Sequence, residues 1–133
     1  KVSQQMIGKL SFYEGSKSVL SQLADKSIKT GIVTSKETLR CQFVLDLLGF
    51  EFDIVQTPNE KLQGKPAPDH LLYAMSELGV NAADTIYIGD MNVDFLAAKN
   101  AQVDYIHAMW GYGLCSDENS IKLKKISQLM EII

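Results

Sequence analysis

The chain has 133 residues, enough for one continuous core and too few for two. Thirteen Lys and Arg against sixteen Asp and Glu leave a formal charge of -3, with no basic face to hold nucleic acid by its phosphates. No apolar run approaches the ~20 residues that span a bilayer, and the polar start Lys1-Val2-Ser3-Gln4-Gln5 does not read as a signal peptide, so a cytoplasmic protein with neither a membrane nor a nucleic-acid partner is expected.

Residues 1–12 do not join the pattern that follows, despite Met6, Ile7, Leu10 and Phe12, and read as a linker; a single core domain is expected over residues 13–133. The start at Lys1 rather than at a methionine reads as a trimmed product. Residues 16–26 carry Val19, Leu20 and Leu23 at helical spacing, and residues 29–34 follow as a buried strand. A second helix is predicted from Lys36, with Leu39, Phe43 and Leu47 along one stripe, Val44 and Leu48 beside it, and Gly49 as its stop. Residues 52–57 form the next strand. After a loop with Gly64, Pro66 and Pro68, a helix from Asp69 turns Leu71, Leu72, Met75 and Leu78 inward and stops at Gly79.

Residues 85–89 are a third strand and 92–100 a helix with Val93, Leu96 and Ala97 on one side. Residues 103–108 are a fourth strand, and a last amphipathic helix is predicted over 118–132. Strands that alternate with helices make right-handed crossovers, so the fold class is α/β: a doubly wound, Rossmann-like parallel sheet with helices on both faces. Ligands of such sheets bind outside the carboxyl ends of the strands, where Thr34, Asp90 and the loop from Trp110 all fall.

Three short stretches at those ends carry chemistry. Asp90 ends an apolar strand and Asp94 follows four residues later, so both carboxylates lie toward one face near the positive end of a helix. On spacing alone, a site for a hard divalent ion, magnesium by default, and a helix cap with a solvated first-turn acid are equal readings; Gly89 and the order of the other motifs favour the metal. Thr34 and Ser35 end the first strand and open a helix, where a hydroxyl and backbone N–H groups suit a phosphate; Ser35 can cap the helix while Thr34 faces the ligand. Lys65, in the turn Gly64-Lys65-Pro66-Ala67-Pro68-Asp69, is held by its neighbours and would screen phosphate and carboxylate charge.

Other reactive residues carry less. Cys41 reads as a small core or boundary residue and Cys115 as a loop residue, neither in metal-ligand spacing. His70 reads as surface or boundary, whereas His107, at a strand end, could approach a substrate. Trp110-Gly111-Tyr112-Gly113 reads as a glycine hinge around two aromatics, ahead of a substrate wall.

On Ile32-Val33-Thr34-Ser35, Gly64-Lys65-Pro66-Ala67-Pro68-Asp69 and Ile88-Gly89-Asp90 through Asp94, in that order, with Trp110-Gly111-Tyr112-Gly113, the chain resembles the haloacid-dehalogenase-like hydrolases over residues 13–113. Within them it looks most like the branch of small phosphatases around phosphoglycolate phosphatase. The resemblance implies that Thr34 and the Ser35 amide hold the substrate phosphate, Lys65 neutralises it, Asp90 binds magnesium, and Asp94 supports Lys65 or a metal-bound water. It also implies an upstream Asp-x-Asp pair, the phosphorylated nucleophile and the general acid. No such pair precedes Thr34, where the first aspartate is Asp25.

The helical cap of that branch is missing too, and residues 1–12 are its remnant or its return linker. The expectation is therefore a core domain lacking its first strand. The full-length protein is expected to be a magnesium-dependent phosphatase of a small phosphorylated metabolite, working through an aspartyl-phosphate, and this chain alone is expected to be inactive. A sugar-phosphate mutase of the same family and a non-catalytic interaction module are the alternatives. The gap left in the sheet is expected to be filled by a missing N-terminal segment, by residues 9–13 or another chain, or to vanish by closure of the two sheet halves on each other, the first being preferred.

Overall fold

The computed structural model describes residues 16–35, 37–109, 113–115 and 117–132; among these, the side chains of Ser16, Val44, Leu47 and Leu48 lie outside the description. The elements run α1 (Ser16–Asp25), β1 (Gly31–Val33), α2 (Thr38–Leu48), β2 (Ile54–Gln56), α3 (Asp69–Leu78), a short turn of 3-10 helix (Ala82–Asp84), β3 (Ile86–Gly89), α4 (Asn92–Ala101), β4 (Asp104–Ala108), β5 (Ile121–Leu123) and a final 3-10 segment (Ile126–Glu131). Among the described residues every strand pairing is parallel: β1 with β2, β3 with β4, and β4 with β5. The strands form two sheets, β1-β2 and β3-β4-β5, divided between β1 and β3.

Strand periodicity explains how the two faces are filled. Ile32, Ile86, Ile88, Ile106 and Ala108 meet α1, Cys41 and Leu45 of α2, and the final 3-10 segment, whereas Val33, Tyr87 and Tyr105 turn the other way, onto α3 and α4. Successive side chains of a strand alternate between faces, so β1, β3 and β4 each contribute to both clusters, whereas β2 adds Ile54 to the second and β5 adds Leu123 to the first. Helices thus cover both faces, the doubly wound arrangement that the alternation of elements predicts. The stops at Gly49 and Gly79 also stand, both in the left-handed conformation at φ 70° and 68°.

Several expectations are corrected. Leu39 and Phe43 are 80% and 65% exposed, and α2 instead turns Cys41 and Leu45 into the core. Leu72 and Val93 also face outward. The expected helix over residues 118–132 is replaced by β5 and the 3-10 segment, because Ile121 and Leu123, two residues apart, match a strand and pair beside β4, with Ile106 opposite Ile121. His70, read as surface or boundary, is buried, with Nδ1 3.1 Å from the Gln63 carbonyl. The readings for residues 1–13 and for Trp110, Gly111 and Tyr112 lie outside the described residues. Among the described residues no helix is long and apolar enough to cross a membrane.

Candidate functional site

The carboxyl ends of β1 and β3 bring the motif residues into reach of one another. Asp90 follows β3, and α4 begins two residues later at Asn92. Asp94, in the first turn of α4 and 0% exposed, reaches back so that its Oδ2 accepts the N–H of Asp90 at 3.1 Å and of Met91 at 3.0 Å. This is the reciprocal half of a capping box, satisfying donors that a helix start leaves without partners. The close return needs Gly89: a Cβ there would stand 2.6 Å from Asp94 Oδ2 and 2.7 Å from its Cγ.

The second carboxylate oxygen is also engaged. Lys65 Nζ donates to Asp94 Oδ1 at 2.7 Å, and the Lys65 side chain is only 5% exposed. The same ammonium donates to the Tyr87 hydroxyl at 3.2 Å and lies 5.8 Å from the centre of its ring. Tyr87 OH stands 3.2 Å from the Val33 carbonyl and 3.4 Å from Asp94 Oδ1. Burial pushes the Lys65 ammonium below its ordinary value of 10.5; the charge of Asp94, its hydrogen bond and then the charge of Asp90 oppose the shift. Burial, followed by Asp94, pushes the Tyr87 hydroxyl well above its ordinary value of 10.0, so it stays a neutral donor.

Thr34 is buried at 4% exposure and its N–H donates to Gln56 O of β2 at 3.0 Å, while Ser35 is exposed at the rim. The helix that follows starts later than predicted. Its N-cap is Glu37, so Ser35 does not cap it, and Thr34 and Ser35 lie in the loop ahead of the helix. The open cleft of about 830 Å³ lined by Phe95, Lys99, Tyr105, Asp117 and Ile121 takes in none of Thr34, Lys65, Asp90 or Asp94.

Both oxygens of Asp94 serve protein donors, and Asp90 stands beside it as a second carboxylate that could hold a cation. Among the described residues no three His, Cys, Asp or Glu side chains gather as a metal site. Magnesium is commonly held by one or two protein carboxylates together with phosphate oxygens and water, and Asp90, 6% exposed and near the Lys65 ammonium, fits that partial role.

Sequence reading missed the buried partners of the site. Tyr87 stands in an apolar strand and shows itself only by its polar tip. His107, which could have faced a substrate, is 0% exposed, with Nδ1 2.8 Å from Tyr105 OH and Nε2 3.0 Å from Gly113 O.

A family profile described as haloacid dehalogenase-like hydrolase matches residues 1–108. Phosphoglycolate phosphatase of Xanthomonas campestris pv. campestris strain 8004 is 32% identical over 108 residues, 80% of this chain and 49% of that protein. Pyrophosphatase PpaX of Bacillus velezensis is 31% identical over 126 residues, 90% of this chain and 58% of that protein. The chain thus spans only 49% and 58% of these relatives' lengths. A crystal structure of a HAD-superfamily hydrolase, subfamily IA, from Geobacter sulfurreducens superposes with a TM-score of 0.78 at 23% identity, over 91% of this chain and 60% of the other, a likeness of fold. Ordered motifs, parallel α/β architecture and these relatives agree: the chain belongs to the haloacid dehalogenase-like hydrolases.

Proposed function

We propose that the full-length protein is a magnesium-dependent phosphatase of a small phosphorylated metabolite, and that this chain supplies its phosphate-binding and charge-balancing half. The observation that carries this reading is the buried Lys65–Asp94 pair set beside Asp90 at the carboxyl edge of the strands. Thr34 and the Ser35 amide bind the phosphate. Lys65 draws charge from its oxygens as the ester bond breaks, and Asp94 orients Lys65. Asp90 holds magnesium, which when bound supplies further neutralisation of the phosphate oxygens.

The nucleophilic carboxylate and the acid that protonates the leaving oxygen come from an Asp-x-Asp segment outside this chain. An aspartyl-phosphate forms as the ester P–O bond breaks, and water then releases phosphate. The chain alone has neither group and is inactive.

The test is hydrolysis of an aryl phosphate by the protein at its full encoded length. Lys65→Ala should lower kcat/KM by about a hundredfold, as loss of one charge-stabilising group does. Activity within about twofold of wild type would remove Lys65 from the reaction.

A pH profile adds a second test. The ammonium is the working form and burial has lowered its titration, so kcat/KM should fall off on the alkaline side below pH 10.5. Asp94→Asn removes the charge that raises the Lys65 value and should move that limb to lower pH. A limb that stays in place or moves upward contradicts the assignment.

A further inference from the structure

The backbone of Asp90 is clamped on both sides. Its N–H and that of Met91 donate to Asp94 Oδ2 at 3.1 and 3.0 Å, and its carbonyl accepts the Gly113 N–H at 2.9 Å. Gly113 lies so close that a Cβ there would stand 2.6 Å from the Asp90 oxygen and 3.0 Å from Met91 Cα. Fixing the peptide planes on either side of Asp90 fixes its Cα–Cβ bond and the position from which its carboxylate extends.

The anchor of Gly113 is in turn His107, on β4. The His107 ring is fully enclosed, with Nε2 3.0 Å from Gly113 O and Nδ1 2.8 Å from the Tyr105 hydroxyl. A carbonyl only accepts, so Nε2 carries a proton; in the neutral ring Nδ1 is then an acceptor and Tyr105 donates to it. Burial, then Asp94, Cys115 and Asp90, pushes the Tyr105 hydroxyl far above its ordinary 10.0, so this donor stays protonated. Phe95 packs edge-on against the Tyr105 ring at 5.6 Å. The His107 ring itself is closed to solvent.

Resting on the reading of Asp90 as the magnesium ligand, we propose that His107 is a positioning residue: it pins Gly113 over the Asp90 carbonyl and so sets where the Asp90 carboxylate stands for a divalent cation. His107 touches neither substrate nor metal. Its effect passes through Gly113, as groups behind a ligand commonly set metal affinity.

The test uses Mn2+ as a paramagnetic probe, with the free ion read by electron paramagnetic resonance in the protein at its full encoded length and without substrate. His107→Leu keeps most of the volume and should weaken Mn2+ binding by about tenfold. His107→Gln, whose amide can donate to Gly113 O and accept from Tyr105, should stay within about threefold of wild type. Binding by His107→Leu within about twofold of wild type overturns the proposal. Should the leucine variant fail to fold, Tyr105→Phe decides, since it removes the donor to Nδ1 and keeps the ring; weaker Mn2+ binding supports the proposal and unchanged binding overturns it. Asp90→Asn separates this idea from the reading beneath it. Undiminished Mn2+ binding there sinks the metal assignment and the proposal with it, whereas weak binding there beside normal binding by His107→Leu sinks the role of His107 alone.

Discussion

Asp94→Ala should destabilise the fold by about 3–5 kcal/mol, the usual cost of removing one partner from a buried ion pair. Lys65 would keep a side chain that is 5% exposed while losing the carboxylate 2.7 Å away. The N–H groups of Asp90 and Met91 would lose their shared acceptor as well. Deprotonation of Lys65 would limit the loss, so the double variant Asp94→Ala/Lys65→Met should recover part of it, a coupling that a double-mutant cycle in urea measures. Gly89→Ala should act in the same direction, because its Cβ would meet the Asp94 carboxylate at 2.6 Å. A loss below about 1 kcal/mol for Asp94→Ala would place the pair with solvent-screened surface bridges and end its structural role.

That pair also shows what the sequence made legible. That Asp90, Asp94 and Lys65 would gather could be expected because the motifs fix their offsets from a strand end or a proline-bounded turn. The short continuous apolar runs at Ile32 and Val33, and from Ile86 to Ile88, marked strands buried on both faces, and Gly49 and Gly79 marked helix ends. The clamp behind Asp90 left no such trace, since Tyr105, His107 and Gly113 meet Asp90 and Met91 only through tertiary contacts. Leu39 and Phe43 misled because helical spacing gives a stripe and not the direction in which it faces; Cys41 and Leu45, on another side of α2, took the core. In the last segment, a strand pattern of three residues ran into a helical pattern, and the pairing of β5 with β4 decided between them. Ser35 was misplaced as a cap for a simpler reason: the helix starts at Thr38.

Supplying an Asp-x-Asp segment, fused ahead of the chain or added as a peptide, should bring magnesium-dependent phosphatase activity where the chain alone should show none. We propose that the segment enters as a strand between β1 and β3. Among the described residues each of these strands pairs on one edge only, β1 with β2 and β3 with β4. Yet Ile32, Val33 and Tyr87 are 0% exposed and Ile88 6%, the burial of strands inside a sheet. Thr34 N–H points to Gln56 of β2, so by strand alternation Val33 presents its N–H and carbonyl to the other edge. The Val33 carbonyl there accepts the Tyr87 hydroxyl at 3.2 Å, a bond between the edges of the two sheets. An incoming strand would take over that carbonyl, and Tyr87 would turn to Asp94 Oδ1, already within 3.4 Å. Each buried backbone group left without a partner costs about 1–3 kcal/mol, so pairing a new strand on both edges should raise the melting temperature and slow hydrogen exchange at the Val33 amide. Activity appearing with unchanged Val33 exchange would mean that the segment docks elsewhere, and neither activity nor slower exchange would mean that the two sheets do not take a strand between them.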